Sequence, residues 1–347
     1  MPLRKKDQES VRDFIRKNTK LEFATAGDAH GDVTKIEKYV KDCLAEENLS
    51  LIVLGGDYQA QPTKDIAEAK KNVFSILSTL RGVPRPILVL GGNYEIPGIT
   101  LEAASEIGEP LFPIGSAPSE QIRRPPGNHL SHQGFDILGV EGSNPINGLF
   151  PGERSEQELE WALSEAVRGA GAVDFSRVIL ATHSPAYECG SRDELGPFGL
   201  PPEYCGKHVG SMAYRNFISK QRPLIHDCGH IHEGVGVTVY LWNPAEPEKM
   251  EEHADLKMLE YDKMAIILKK DEAKRASICV NHGTLEHWVY MRYRIAETKE
   301  CIAVEVAKRR LGGKDPVSKF TDRFAKGAVY KKIISSGIDV KDIASMS

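Results

Sequence analysis

Five short polar segments each follow directly on an apolar, strand-like run. Asp28-Ala29-His30 follows residues 21–26, Gly56-Asp57 follows 51–55, and Gly92-Asn93 follows 87–91. His183 follows 177–182, and Gly229-His230-Ile231-His232 follows 224–228. A sixth run, 135–140, carries no such segment. Between the runs lie stretches of helical period. Residues 33–46 carry Ile36, Tyr39, Val40, Cys43 and Leu44 on one face behind a capping Asp32. Residues 64–80 repeat the pattern with Ile66, Val73, Ile76 and Leu77. Ser155 with Glu158 three residues on spells a capping box for a helix over 155–167, and 211–219 is a shorter candidate. Strands alternating with helices predict an α/β fold. In such folds ligands bind beyond the carboxyl ends of the strands, where all five polar segments stand.

Asp, Asn and His are the donor types that hold divalent metals. Two such ions roughly 3.5–4 Å apart can clamp the attacking and leaving oxygens of an in-line displacement, provided one ligand bridges them. A carboxylate with two oxygens suits that role. Imidazole and carboxylate together suit Mn, Fe, Zn or Co better than Mg or Ca, which favour all-oxygen shells. Each residue also has a structural reading. Asp28 and Asp57 could cap helices, Asn93 could form a turn, and His230 with His232 could decorate a strand edge. Jointly those readings need seven coincidences in register, and the metal-site reading is preferred.

The 347 residues suffice for one large α/β domain or two ordinary ones. A net charge of -4 argues against broad nucleic-acid binding by bulk electrostatics, without excluding a local groove. No apolar stretch is long enough to span a membrane, and residues 1–10 are charged, with no apolar leader core. The six cysteines form no C-x-x-C pair. They read as reduced thiols, which together with the missing leader predicts a cytoplasmic setting.

Two regions fall outside the alternation. Residues 233–277 read as an insertion holding one hairpin, 235–242 paired with 264–269, around a polar tract at 246–252. Residues 298–347 hold 11 Lys/Arg against 6 Asp/Glu. They read as helices near 302–311 and 317–335, broken at Pro316. Such a tail packs on its own core or on a second subunit, with a phosphate-contacting arm as the alternative.

The order D-x-H, G-D, G-N-x-E, lone His, G-H-x-H resembles the calcineurin-like metallophosphoesterases over about residues 21–296. The likeness extends to residues 139–145, to Thr182-His183-Ser184-Pro185, and to His208-Val209-Gly210-Ser211 with Arg215 and Phe217. These details look closest to predicted phosphoesterases related to bacterial cyclic-AMP phosphodiesterase. The resemblance implies a four-layer α/β/β/α sandwich over 21–296, with an N-terminal helical extension (1–20), the insertion at about 233–277 and a helical C-terminal extension (297–347). It implies two divalent ions, Mn favoured, with Fe, Zn, Co and Ni as alternatives. Asp28, His30 and His232 would hold the first, Asp57 would bridge, and Asn93, His183 and His230 would complete the second. A hydroxide between the ions would attack phosphorus. The expected activity is a phosphodiesterase acting on a small phosphorylated substrate, nucleotides among the candidates. Alternatives are a phosphomonoesterase, a nuclease, or a catalytically silent interaction module. The C-terminal extension would serve any homo-oligomer.

One position departs from the family. Its G-N-H-D/E motif reads Gly92-Asn93-Tyr94-Glu95 here, so the His credited with protonating the leaving oxygen is replaced. Tyr94, with an unperturbed pKa near 10, donates a hydrogen bond but does not cycle its proton near neutrality. The alternative is that Tyr94 packs and His208 supplies the proton. His129, His132, His226, His253 and His287 read as surface or packing residues. Asn281 in Asn281-His282-Gly283-Thr284 is preferred over Asn243 as the family's active-site turn, because a final strand over 286–295 follows it. Specificity is expected from the loops at 144–152 and 188–207 and from the insertion.

Overall fold

The computed structural model describes residues 5–115, 129–145, 148–195, 206–243, 246–257, 263–311 and 331–334. From the amino end, α1 (Lys5–Asn18) leads into β1 (Thr19–Ala26). Then come α2 (Val33–Leu44), β2 (Leu51–Leu54), α3 (Ile66–Ser78), β3 (Ile87–Val89), α4 (Ile99–Ile107) and β4 (Leu111–Pro113). A hairpin of β5 (His129–His132) and β6 (Phe135–Val140) precedes α5 (Glu156–Ala170), β7 (Val178–Thr182), α6 (Met212–Gln221) and β8 (Ile225–Cys228). The remainder is β9 (Gly236–Asn243), β10 (Glu246–Lys257), β11 (Lys263–Lys269), α7 (Lys270–Ala273), β12 (Ala276–Asn281), β13 (Val289–Glu297), β14 (Cys301–Arg310) and β15 (Lys331–Ile334).

The strands make two sheets. One runs β15-β11-β14-β13-β1-β2-β3-β4 and the other β10-β9-β12-β8-β7-β6-β5. β1 to β4 are parallel, as are β6, β7, β8 and β12. Period-two alternation sends one face of every central strand to the space between the sheets. There Phe23, Leu51 and Leu88 meet Ile137, Ile179, Ile225 and Ile278. The other face meets helices. Ile36, Tyr39, Val73 and Leu77 cover Ile52 and Val89, while Leu159, Leu163, Tyr214 and Ile218 cover Val140 and Leu180. The result is the four-layer α/β/β/α arrangement. α1 adds Val11, Phe14 and Ile15 over Ile267, Ala296 and Ala303 of the first sheet. Asp32 and Ser155 cap their helices as the sequence suggests, Ser155 in a reciprocal box with Glu158. Among the described residues, no helix is long and apolar enough to cross a membrane.

Three local expectations are corrected. The segments 235–242 and 264–269 do not pair. β9 lies between β10 and β12 in one sheet, and β11 lies between β14 and β15 in the other. Both segments are apolar on alternate faces. Val237 and Val239 face the inter-sheet core while Tyr240 and Trp242 face outward under cover, and Ile266 and Ile267 divide likewise. A hairpin standing apart would leave one such face in water. The helix expected near 302–311 is β14, in which Ile302, Val304 and Val306 point between the sheets and Ala303 points under α1. Here strand periodicity outweighs the helix reading. The second helix, 317–335, lies outside the described residues except for Lys331–Ile334, which is a strand paired in parallel with β11.

Beneath the strand ends, one buried carboxylate ties the sheets together. Asp227 of β8 accepts hydrogen bonds from Thr25 of β1 (3.0 Å), from the Tyr293 hydroxyl of β13, and from His282 Nδ1 just beyond β12 (3.2 Å). Removing it orphans buried donors, at about 1–3 kcal/mol each. Asp227→Ala should therefore lower the free energy of unfolding by about 3 kcal/mol or more. Urea titration of both proteins checks this, and a loss under about 1 kcal/mol would contradict the clamp.

Candidate metal centre

The loops after β1, β2 and β3 face those after β7 and β8. Asp28, His30 and His232 form one group whose donor atoms lie within 4.8 Å of one another, and Asp57, His183 and His230 form a second. Asn93 joins the second through its Oδ1, 2.9 Å from His183 Nε2. His183 Nε2 also stands 3.5 Å from Asp57 Oδ1, and His232 Nε2 stands 3.4 Å from Asp28 Oδ1. The His30 and His232 rings are 5.6 Å apart and those of His183 and His230 are 4.9 Å apart. All seven donors named from the sequence are thus brought together.

The local backbone aims them. Asp28, His30, Asp57 and His230 have φ of 54°, 46°, 52° and 65°. That left-handed region costs a non-glycine residue roughly 1–2 kcal/mol. Four of the eight non-glycine residues with positive φ among the described residues are candidate donors, a concentration typical of functional loops. Backbone bonds hold these turns against one another: Asp28 N–H donates to Gly56 O and His30 N–H to Asp57 O, both at 2.9 Å. Glycine is required where loops touch. A Cβ on Gly92 would collide with Asp57 Oδ1, and one on Gly229 would come within 2.7 Å of Asp28 Oδ2.

Glu95, which sequence reasoning gave no role, is the organiser of two of these loops. Buried, it accepts the backbone N–H groups of Asp57 and Gly92 at Oε2 (2.9 and 2.8 Å) and of Tyr58 and Gln59 at Oε1 (2.9 and 3.1 Å). Its place in the Gly92-Asn93-Tyr94-Glu95 motif was the available signal. Burial, then the charge of Asp57, pushes its carboxyl up to about 7, against the pull of those N–H groups. His183 Nδ1 lies 2.8 Å from Gly55 O, which fixes the ring with Nε2 turned inward. Asn281 Nδ2 donates to Arg192 O and Ile231 O, bracing the loop that carries His230 and His232.

The donor set fits two divalent ions of the Mn-to-Zn series, with two carboxylates, four imidazoles and one amide oxygen. Asp28 Oδ1 supplies a direct test. It is buried and no hydrogen bond of good geometry reaches it, the His232 imidazole standing off at 3.4 Å, as expected of an oxygen that coordinates a cation. Without metal, imidazolium charge balances the carboxylates. Burial pushes Asp28 and Asp57 up, but His232 and His183 respectively, with other nearby histidines, outweigh it and both end lower than usual. Burial pushes His183 down, but the Asp57 carboxylate overrides this and raises it to about 10. His230, buried beside the His183 charge, falls to about 3.

The remaining histidines divide. His208 Nδ1 lies 2.8 Å from the buried Asp193 carboxylate, and the ring lines a cavity of about 350 Å³ with Glu188, Arg215 and Tyr240. None of the seven donors lines that cavity, so His208 is not brought to them there. His226 and His282 are buried in the second sheet, and His287 joins Glu286 at the rim beside His232. A larger cavity, about 490 Å³, is lined by Gly31, Gln59, Gln61, Thr63, Asn72 and their neighbours. It flanks the centre, since Gly31 follows His30 and Gln59 Nε2 donates to Tyr94 O (3.0 Å). Of the loops expected to set specificity, residues 146–147 and 196–205 lie outside the described residues.

A two-sheet sandwich with paired His/Asp donor groups at its strand ends defines a metallohydrolase class. The chain belongs to the calcineurin-like phosphoesterase family, whose model matches residues 21–234. No curated protein shows significant similarity to it. One crystal structure superposes with a TM-score of 0.53 at 15% identity, over 79% of this chain and 94% of the other, which establishes the shared fold. A dimetal phosphatase from Danio rerio aligns at 0.42 and 10% identity, covering 82% and 96% of the two chains. The phosphopantetheinyl hydrolase of Mycobacterium tuberculosis aligns at 0.39 and 11%, covering 68% and 89%.

Two outcomes follow from this geometry. Gly92→Ala, by driving a methyl group into the Asp57 carboxylate, should cost the chain most of its bound metal while circular dichroism stays native. Elemental analysis reads this, and full metal content would contradict the packing. Second, metal-free His183 is protonated below about pH 10, so metal uptake must displace that proton. Apparent affinity should therefore rise from pH 6 to pH 8. Calorimetry in two buffers of different ionisation enthalpy should show net proton release, and binding indifferent to pH and buffer would exclude it.

Proposed function

We propose that this protein is a binuclear metal-dependent phosphodiesterase. Asp28, His30 and His232 hold one ion, Asn93, His183 and His230 hold the other, and Asp57 bridges them. Manganese is the favoured ion, since the mixed imidazole and carboxylate set suits it among several of the same series. Two ions bound there supply Lewis-acid charge to the phosphoryl oxygens and make water acidic enough to act near neutrality. The substrate is a small phosphate diester, and the cavity beside His30 receives its alcohol portion. The amides of Gln59, Gln61 and Asn72 suit an uncharged, hydrogen-bonding group, nucleosides among the candidates. Buried thiols in all five described cysteines suit the reducing cytoplasm.

The observation that carries the diester reading is Tyr94. Its ring centroid is 4.8 Å from that of His30, and the ring stacks on Phe150 with centroids 5.2 Å apart. Burial, then the Asp57 charge, raises its phenol above the ordinary value. The hydroxyl accordingly stays neutral, able to donate a hydrogen bond to a phosphoryl oxygen but poor at delivering its proton. Its backbone N–H meanwhile donates to Asp57 Oδ1 (2.9 Å) and orients that carboxylate. A leaving group of low basicity departs from such a site with little help from an acid, whereas an alkoxide departs more slowly.

Aryl diesters should therefore be cleaved well above alkyl monoesters, because general-acid help is worth about 10²–10⁴-fold to the latter. Tyr94→His should raise monoester turnover, and Tyr94→Phe should cost the diester about tenfold or less. Steady-state kinetics with both substrate types checks this. Wild-type preference for alkyl monoesters, or abolition of diester cleavage by Tyr94→Phe with metals retained, would make Tyr94 or a neighbour a true acid. For the bridge, Asp57→Asn should lose at least one metal and most activity, since a neutral amide cannot hold two dications together. Near-native turnover with full metal content would remove Asp57 from that role.

A further inference from the structure

A second kind of donor cluster lies on the far face of the second sheet. Cys189, His226 and Cys279 are each fully buried, and their donor atoms lie within 4.8 Å of one another. They come from three separate places. His226 on β8 and Cys279 on β12 are direct neighbours in the parallel ladder, with side chains on the outer face. Cys189 arrives over them on the loop that follows β7. That loop is pinned there: Asp193 Oδ1 accepts from Cys189 N–H (3.1 Å) and Thr238 Oγ1 donates to Cys189 O (3.2 Å).

The hydrogen bonds also settle which nitrogen of His226 faces the sulfurs with a lone pair. Thr182 Oγ1 donates its single proton to Ser184 O (2.7 Å). Its contact with His226 Nε2 at 2.8 Å must then run the other way, with Nε2–H donating to the hydroxyl. Neutral imidazole protonated at Nε2 carries a bare lone pair at Nδ1. That atom is buried, has no oxygen or nitrogen partner and faces the Cys189 thiol. A thiol is only a weak donor, so a lone pair facing two of them is better satisfied by a metal ion that binds all three atoms. Cys228 stands apart, its thiol donating to Val280 O at 3.4 Å.

We propose that Cys189, Cys279 and His226 Nδ1 bind a third metal ion, zinc, which staples the loop after β7 to the outer face of the second sheet. Soft thiolates with an imidazole select zinc or cuprous copper over the harder ions suited to the strand-end cluster. Charge decides between the two. Zn²⁺ with two thiolates is neutral, as a site shut off from water requires, whereas Cu⁺ would leave a net negative charge. Uptake exchanges Zn²⁺ for two protons, one from each thiol, and the Nδ1 lone pair is donated directly. At a Zn–S distance of about 2.3 Å, a trigonal three-ligand site puts the sulfurs about 4 Å apart, so closure needs shifts of about 1 Å or less. The bound ion would cross-link residues far apart in sequence and would be acquired as the chain folds.

Full-length protein purified under reducing conditions and equilibrated with zinc alone provides the test. Elemental analysis should give three ions per chain, and Cys279→Ala should give two. Asp57→Asn, which disturbs only the strand-end cluster, should keep the third ion. Because Cys279→Ala can fail to fold, the wild-type chain is also reconstituted with Co²⁺. A thiolate-to-cobalt charge-transfer band should appear in the near ultraviolet, and the strand-end cluster, which has no sulfur ligand, cannot produce it. Two ions per chain with no such band would overturn the proposal. So would a Cys189–Cys279 disulfide found by mass spectrometry in the reduced protein.

Discussion

The candidate centre depends on two sheets being held in one alignment, because neither carries enough donors alone. The first sheet supplies Asp28, His30, Asp57 and Asn93, and the second supplies His183, His230 and His232. Apolar burial between the sheets is large but non-directional, so it permits sliding. Directional contacts fix the position. Asp227 reaches across to Thr25 and Tyr293, and His183 reaches across to Gly55 O. Both lie immediately beneath or within the donor cluster, so the alignment is tightest where it matters for chemistry.

Strain and compensation sit together at those strand ends. The positive φ angles of Asp28, His30, Asp57 and His230 are unfavourable one by one. They persist because neighbouring groups over-determine them, above all the Glu95 carboxylate gathering four N–H groups from the β2 and β3 loops. Two carboxylates buried beside four imidazoles store electrostatic cost as well. In the metal-free chain, protons on His183 offset it, and divalent cations do so more completely. The same arrangement explains why a phenol at position 94 is compatible with the site. It adds a donor without adding another charge.

Much of the site was legible in the chain because its pieces are local. Each donor stands one to four residues past an apolar run, and a β-strand of any register delivers the residues after its end to the same rim. The α/β alternation was legible for the same reason, since a period of 2 or 3.6 needs only a short window. The stretches misread at 235–242, 264–269 and 302–311 failed for a different cause. Each is apolar on both faces, and a two-sided apolar strand does not disclose which sheet will cover it.

The sequence by itself determined the candidate donors, their order and the substitution of Tyr for His at position 94. Only the tertiary structure decided that β9 and β11 belong to different sheets, and that Glu95 and Asp227 hold the rim in place. It alone brought Cys189 over His226 and Cys279. The physical reason is range. Hydrophobic period and turn chemistry act over a few residues, whereas a site shared between two sheets is fixed by contacts such as that between Thr25 and Asp227, and a cluster such as Cys189 with Cys279 by a loop folding back on its sheet; no local pattern encodes such pairings.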